Sequence, residues 1–158
     1  MKKTLLIVAA VLGLSLAASA QPKAIGIRGF FEQWQFSYEH YLGDPHFLEF
    51  DLGASKYKNN QGVDVVGTYN FMIARPDWSP RGDWGFYLGL GAAFGTYYYR
   101  EKETDEWNRS AYFGLVGQAG LEYTFWFPLQ LAVDLRPLIP FGKRSFDLYP
   151  ALSVRYSF

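Results

Sequence analysis

Hydrophobic and polar positions alternate with period two through most of the chain beyond residue 21. The C-terminal segment shows this most plainly. Leu148, Pro150, Leu152, Val154, Tyr156 and Phe158 share one parity; Asp147, Tyr149, Ala151, Ser153, Arg155 and Ser157 share the other. The same split recurs in Leu48-Glu49-Phe50-Asp51-Leu52, in Glu122-Tyr123-Thr124-Phe125 and in Leu131-Ala132-Val133-Asp134-Leu135-Arg136. Period two marks a strand with one polar and one apolar face. No stripe of period 3.6 reaches comparable length, so the chain reads as all-β. Turn-forming residues interrupt the alternation at Gly43-Asp44-Pro45, Asn59-Asn60-Gln61-Gly62, 75–83, 101–109, Phe127-Pro128 and 140–145. Between these breaks eight strands are predicted, over 24–31, 34–42, 47–57, 63–74, 84–100, 110–126, 129–138 and 146–158.

The first twenty residues follow another rule. Lys2 and Lys3 precede an apolar run from Leu5 to Leu16, and Ala18-Ser19-Ala20 supplies the small-x-small pattern of a signal-peptidase site. The run is too short for a spanning helix, which needs about 20 apolar residues. The expected organisation is a cleaved signal peptide over 1–20 and one β domain over 21–158. Nothing beyond Gln21 approaches the length of a transmembrane helix.

Composition narrows the classes. With 15 Lys+Arg against 15 Asp+Glu there is no basic excess for nucleic acid, and with no cysteine there is no disulfide framework, thiol-ligated metal or cysteine nucleophile. Aromatic residues make up 20% of the chain, beside 16 glycines. Eight antiparallel strands fit two architectures. A secreted, lipocalin-like barrel buries its apolar face inside; an outer-membrane barrel turns that face to lipid and keeps polar residues in the lumen. The polar face separates them, because it pairs charges with very small residues. It carries Arg28, Glu39, Glu49, Asp51, Glu122, Asp134, Arg136 and Arg155. On the fifth strand, Gly85, Gly89, Gly91, Ala93 and Gly95 lie opposite Phe86, Leu88, Leu90 and Phe94. Small residues suit a narrow lumen, and bulky ones a lipid-facing wall. The expected fold is an eight-stranded antiparallel up-and-down transmembrane β-barrel.

Aromatics gather towards strand ends, as in interfacial girdles. One group is Trp34, Phe36, Tyr57, Tyr97, Tyr98, Tyr99, Tyr112 and Phe113; the other is Tyr41, Phe47, Trp84, Phe86, Phe125, Phe127, Tyr156 and Phe158. With both termini periplasmic, the first group marks the outer rim.

The chain ends in Val154-Arg155-Tyr156-Ser157-Phe158, alternating apolar residues with a terminal Phe. This resembles the C-terminal signal of outer-membrane barrels, carried by Val154, Tyr156 and Phe158, which the barrel assembly machinery reads. With Ser37-Tyr38-Glu39-His40-Tyr41-Leu42-Gly43 and Gly120-Leu121-Glu122-Tyr123-Thr124-Phe125 it makes the domain over 21–158 similar to the small eight-stranded outer-membrane barrels typified by outer-membrane protein X and the membrane domain of outer-membrane protein A. The resemblance implies fold and outer-membrane location. The stretch 75–83 departs from it, being long for a periplasmic turn.

An eight-stranded lumen is just wide enough to be filled by side chains. The eight lumen charges are therefore expected to form an arginine–carboxylate plug, with a gated ion path or cation site as the functional alternative. Catalysis has thin support. Two lipid A enzymes, a palmitoyltransferase and a deacylase, are of similar size, but acyl transfer needs a nucleophile or activated water beside a base. The only histidines, His40 and His46, map to the periplasmic end, and His40 has the lipid-facing parity. Pro137, Pro140 and Pro150 lie on neighbouring strands and lack ladder donors, which marks a candidate lateral gap between strands seven and eight above Pro150. The stretch 101–109, with Glu103, Asp105, Glu106, Lys102, Trp107 and Arg109, is expected to be an exposed loop facing lipopolysaccharide or a surface partner.

The reading from sequence is a monomeric, non-enzymatic, porin-like barrel of a Gram-negative outer membrane. It serves envelope integrity or surface interaction through its loops. Its expected partners are outer-membrane lipid, lipopolysaccharide and, during biogenesis, the barrel assembly machinery, with no cofactor, metal or nucleic acid implied. The alternatives are a narrow pore or lateral carrier for small apolar molecules, and a secreted lipocalin-like binder.

Overall fold

The computed structural model describes residues 23–30, 33–57, 60–100, 107–141 and 146–158. The expected signal peptide and residues 101–106 of the expected loop lie outside them. Eight strands form: β1 (Lys23–Phe30), β2 (Gln33–Gly43), β3 (His46–Tyr57), β4 (Asn60–Ala74), β5 (Gly82–Arg100), β6 (Trp107–Phe125), β7 (Gln130–Phe141) and β8 (Asp147–Ser157). Each is antiparallel to its chain neighbours, and β8 returns to β1 to close the barrel. The closing seam runs from Ala24↔Ser157 to Gly29↔Leu152. It is sealed at the termini by reciprocal backbone bonds between Lys23 and Phe158 of 2.8 and 2.7 Å.

The predicted strands match these within three residues, and the differences have local causes. β7 continues through Pro140 to Phe141 because that proline's missing donor falls beyond the last described β7–β8 pair, as its register shows below. The break at 75–83 shrinks to 75–81, since β4 ends at Ala74 and β5 begins at Gly82. At the β2–β3 turn Gly43 takes φ 110°, a left-handed conformation that glycine adopts without steric cost.

Strand parity decides the two faces. Leu90 is 77% exposed, Leu52 60%, Ile139 57% and Val133 57%, all on the outer wall, whereas all eight predicted lumen charges are buried. The apolar set thus faces out and the charges face in. This overturns the lipocalin-like alternative, which needs the opposite.

The interior is layered. At the loop end Val66, Ala93, Tyr112, Val116 and Leu138 form an apolar cluster, with Tyr97 and Tyr149 packed against it. At the end holding both termini Phe47, Met72 and Tyr87 form a second cluster, packed on Tyr41. The lumen charges lie between. Tyr41, Phe47, Tyr97 and Tyr112 therefore leave the girdles proposed from sequence. Phe47 shares the inward parity of Glu49 and Asp51, so its nearness to a strand end misleads. The side chains of Tyr57 and Tyr99 lie outside the described set.

Candidate functional site: the barrel interior and its seam

All eight charged residues singled out from sequence project into the lumen, and the structure brings them together through three arginines. Arg28 on β1 grips Asp134 on β7 with two nitrogens, Nε at 3.1 Å and the second guanidinium nitrogen closer still, and donates to Gln35 Oε1 at 2.8 Å. Arg136 donates to Asp51 at 2.6 Å and Glu49 at 3.3 Å. Arg155 donates to Ser37 Oγ at 3.0 Å and Glu49 at 2.6 Å, and its third nitrogen lies 2.9 Å from Glu39. Glu49 is the hub, since two arginines and Gln118, at 2.7 Å, converge on it. Charge-assisted bonds of this kind are the strong class, and they make the burial of ions tolerable.

Sequence reasoning missed the neutral members of the network and one further acid, Asp64. Gln118 accepts from Thr68 at 2.8 Å, and Asn70 donates to Thr68 at 3.0 Å. Gln35 donates to Asp64 at 2.6 Å. Glu122 accepts from Tyr41 and Gln130, each at 3.1 Å. The signal was present: each of these residues shares parity with a charged or small lumen residue on its own strand. Gly120 also belongs here, because the phenol of Tyr87 occupies the space a Cβ would need. Above the network a recess of about 400 Å³, open mouth included, faces the loop end. Its lining mixes the polar Arg28, Gln35, Asp64 and Arg136 with the apolar Val66, Ala93, Val116 and Leu138.

The three prolines differ in what they interrupt. The β7–β8 ladder runs unbroken from Gln130↔Arg155 to Leu138↔Asp147, straight past Pro150. The expected gap between strands seven and eight is therefore absent. In the β6–β7 ladder, Val116↔Leu138 and Ala119↔Leu135 are paired, but the two rungs between them are missing. N–H groups along a strand point alternately to its two neighbours. Pro137 turns its nitrogen towards β6, so one absent donor removes two rungs. Pro140 then faces β8 beyond Leu138↔Asp147, and Pro150 faces β1 beyond Gly29↔Leu152. Among the described residues only Pro137 cuts the wall. Opposite it, Gly117 leaves room for the ring, whose Cγ is 3.0 Å from where a Cβ would stand.

At the terminal end the turn 75–81 is tied to its neighbours. Arg75 pairs with Asp44 at 2.6 Å, Ser79 bonds Tyr123 at 3.1 Å, and the Trp126 amide donates to the Arg81 carbonyl at 3.2 Å. Trp78 packs on Trp84 and Phe86 at 5.8 and 5.6 Å, and Trp84 on Tyr123 at 4.7 Å. The long turn thus extends an aromatic belt, together with Phe125, Trp126 and Phe127. Val154, Tyr156 and Phe158 are on the outer wall, 46%, 56% and 60% exposed. His40 and His46 meet Tyr38 at 3.3 Å and Tyr69 at 2.5 Å on the outer side of the wall.

No protein-family model and no curated protein matches the chain. Among solved structures it is similar to the N-terminal β-barrel domain of Pseudomonas aeruginosa OprF, with 17% identity, a TM-score of 0.68, and coverage of 87% of this chain and 96% of that one. Ail, the attachment invasion locus protein of Yersinia pestis, also aligns, at 11% identity and a TM-score of 0.49, covering 89% of this chain and 100% of that one. The closed eight-stranded meander, the inverted faces and the OprF likeness agree: the fold is that of the small eight-stranded transmembrane barrels of outer membranes.

Proposed function

We propose that this chain is a monomeric, non-enzymatic outer-membrane protein, exported by a signal peptide cleaved after Ala20, that acts in envelope integrity or surface interaction through its outward loops. The observation that carries this reading is the β5–β6 ribbon. Both strands have 19 residues, against 8 in β1, and their pairing continues to Arg100↔Trp107. On β4 the pairing stops at Gln61↔Tyr98, and on β7 at Phe113↔Phe141. β6 thus runs on for about 20 Å of strand past its last described partner on β7. The lumen below is filled by ion pairs, which argues against solute flow, so the chemistry available to a partner is at the ribbon tip. Lipopolysaccharide is the nearest such partner, and the assembly machinery would read Val154, Tyr156 and Phe158 during insertion.

The test is removal of residues 99–108 in cells lacking the intact gene. The shortened barrel should still reach the outer membrane and change gel mobility on boiling, yet restore neither detergent resistance nor surface binding. Full restoration by the shortened chain would end the surface reading. The second reading, a lateral carrier for small apolar molecules, is favoured by the Pro137 interruption beside the loop-end recess. A disulfide joining Gly117→Cys and Pro137→Cys, in a chain with no other cysteine, should then block uptake.

A further inference from the structure

The loop end of the barrel is uneven. β1 has 8 residues and turns into β2 at Phe30↔Gln33, and its ladder to β8 stops at Gly29↔Leu152. On the opposite side of the lumen the β5–β6 pair climbs to Arg100↔Trp107. The recess above the ion-pair layer therefore has a low lip at β1–β2 and a high back wall at β5–β6.

The back wall carries rings. Tyr97 on β5 and Tyr112 on β6 face inward with their centroids 6.3 Å apart. Gly95 makes room for the second ring, because three of its atoms come within 2.8 Å of where a Cβ at 95 would stand. Tyr149 on β8 packs on the same apolar cluster and also lines the recess.

The charged groups of the lining are already engaged. Arg28 bonds Asp134 and Gln35, Arg136 bonds Asp51 and Glu49, and Asp64 accepts from Gln35. A small ion would have to displace one of these bonds. A guanidinium has five N–H donors and a carboxylate about four lone-pair sites, so the set keeps capacity for neutral hydrogen bonds. Gln33 at the lip adds an amide with no partner among the described residues. Donors, acceptors, apolar side chains and tyrosine rings thus meet in one cup. A sugar ring is the complement of such a surface, with hydroxyls around its rim and C–H groups on its faces.

We propose that this recess is a carbohydrate subsite, which takes one neutral sugar ring over the β1–β2 lip. The hydroxyls bond Gln33, Arg28 and Asp64, and a C–H face lies against Tyr112. At about 400 Å³ with its mouth, the recess admits a terminal ring and no longer chain. The subsite rests on the outer-membrane reading in one respect, that the loop end faces outward. A sugar of lipopolysaccharide and a free saccharide share this chemistry.

The experiment uses the chain from Gln21 to Phe158 refolded in micelles of a detergent without a sugar headgroup. The probe is methyl α-glucoside, read by saturation-transfer NMR. It should bind, and Gln33→Leu should weaken it by about tenfold, the order of one lost hydrogen bond. Ala93→Leu, which fills the recess, should abolish binding while the heat-dependent gel shift persists. Val116→Phe fills the same space and decides the matter if Ala93→Leu does not fold. Extracted lipopolysaccharide that competes with the glucoside on the parent chain assigns the sugar to the envelope, and absence of competition assigns it to a free saccharide. The proposal is overturned if the glucoside does not bind at millimolar concentration, or if it binds a folded recess-filling variant as well as the parent. Displacement of the glucoside by acetate or methylammonium at equal concentration would assign a charged ligand and overturn it too. Binding in micelles is independent of what the ribbon does on cells, so the surface reading and the subsite fail separately.

Discussion

Arg155 joins three strands: rooted on β8, it bonds Ser37 on β2 and Glu49 on β3 while lying against Glu39. Replacing one member of a buried ion pair leaves its partners uncompensated, which costs about 3–5 kcal/mol. Arg155→Ala should therefore lower the unfolding free energy in urea by that order, and an unchanged midpoint would show that the network does not hold the barrel together. Gly120 gives a smaller test of the same interior. Gly120→Ala should displace Tyr87 and cost about 1–3 kcal/mol by overpacking, read from the same titration. At this scale the charged members were legible, since strand parity assigns Glu39, Glu49 and Asp51 to one face without any structure. Which arginine meets which carboxylate was not. Arg28 and Asp134 are 106 positions apart, and only closure of β1 onto β8 brings their strands near.

Among the elements, β7 shows how one residue shapes a wall. Pro137 deletes a donor facing β6, and a bare carbonyl in a lipid-facing wall is unfavourable. Pro137→Ala should restore both missing rungs, raise stability by about 1 kcal/mol and slow hydrogen exchange at its new amide. Fast exchange at that amide would mean that something other than the missing donor parts the strands. The lipid face has its own test. Val133 is 57% exposed and pairs with Leu152, near mid-height of the wall. Val133→Arg should cost about 2–4 kcal/mol in lipid, as charged residues do at the bilayer midplane, and far less if this face met water. Strand positions could be read from turn residues and alternation because both are local. The side to which each proline points its missing donor needed the register. That moved the interruption from the β7–β8 pair to the β6–β7 pair.

For the whole molecule, closure through Lys23 and Phe158 leaves no edge strand at the termini, and the ion-pair layer fills the bore. Planar-bilayer recordings should show no stepwise conductance, and regular steps from the pure protein would revive the pore reading. The sequence by itself determined the class, the strand count and the inward and outward faces, but not the full set of lumen charges, since Asp64 went unrecognised. Each follows from period-two alternation, turn residues and side-chain size, which act within a few residues. Tertiary structure decided the rest: the pairing of ions across the bore, the inward turn of Tyr41, Phe47, Tyr97 and Tyr112, the seam at Pro137 and the reach of the β5–β6 ribbon. These depend on register and on the meeting of strands distant in sequence, set by closing eight strands around a lumen only wide enough for side chains.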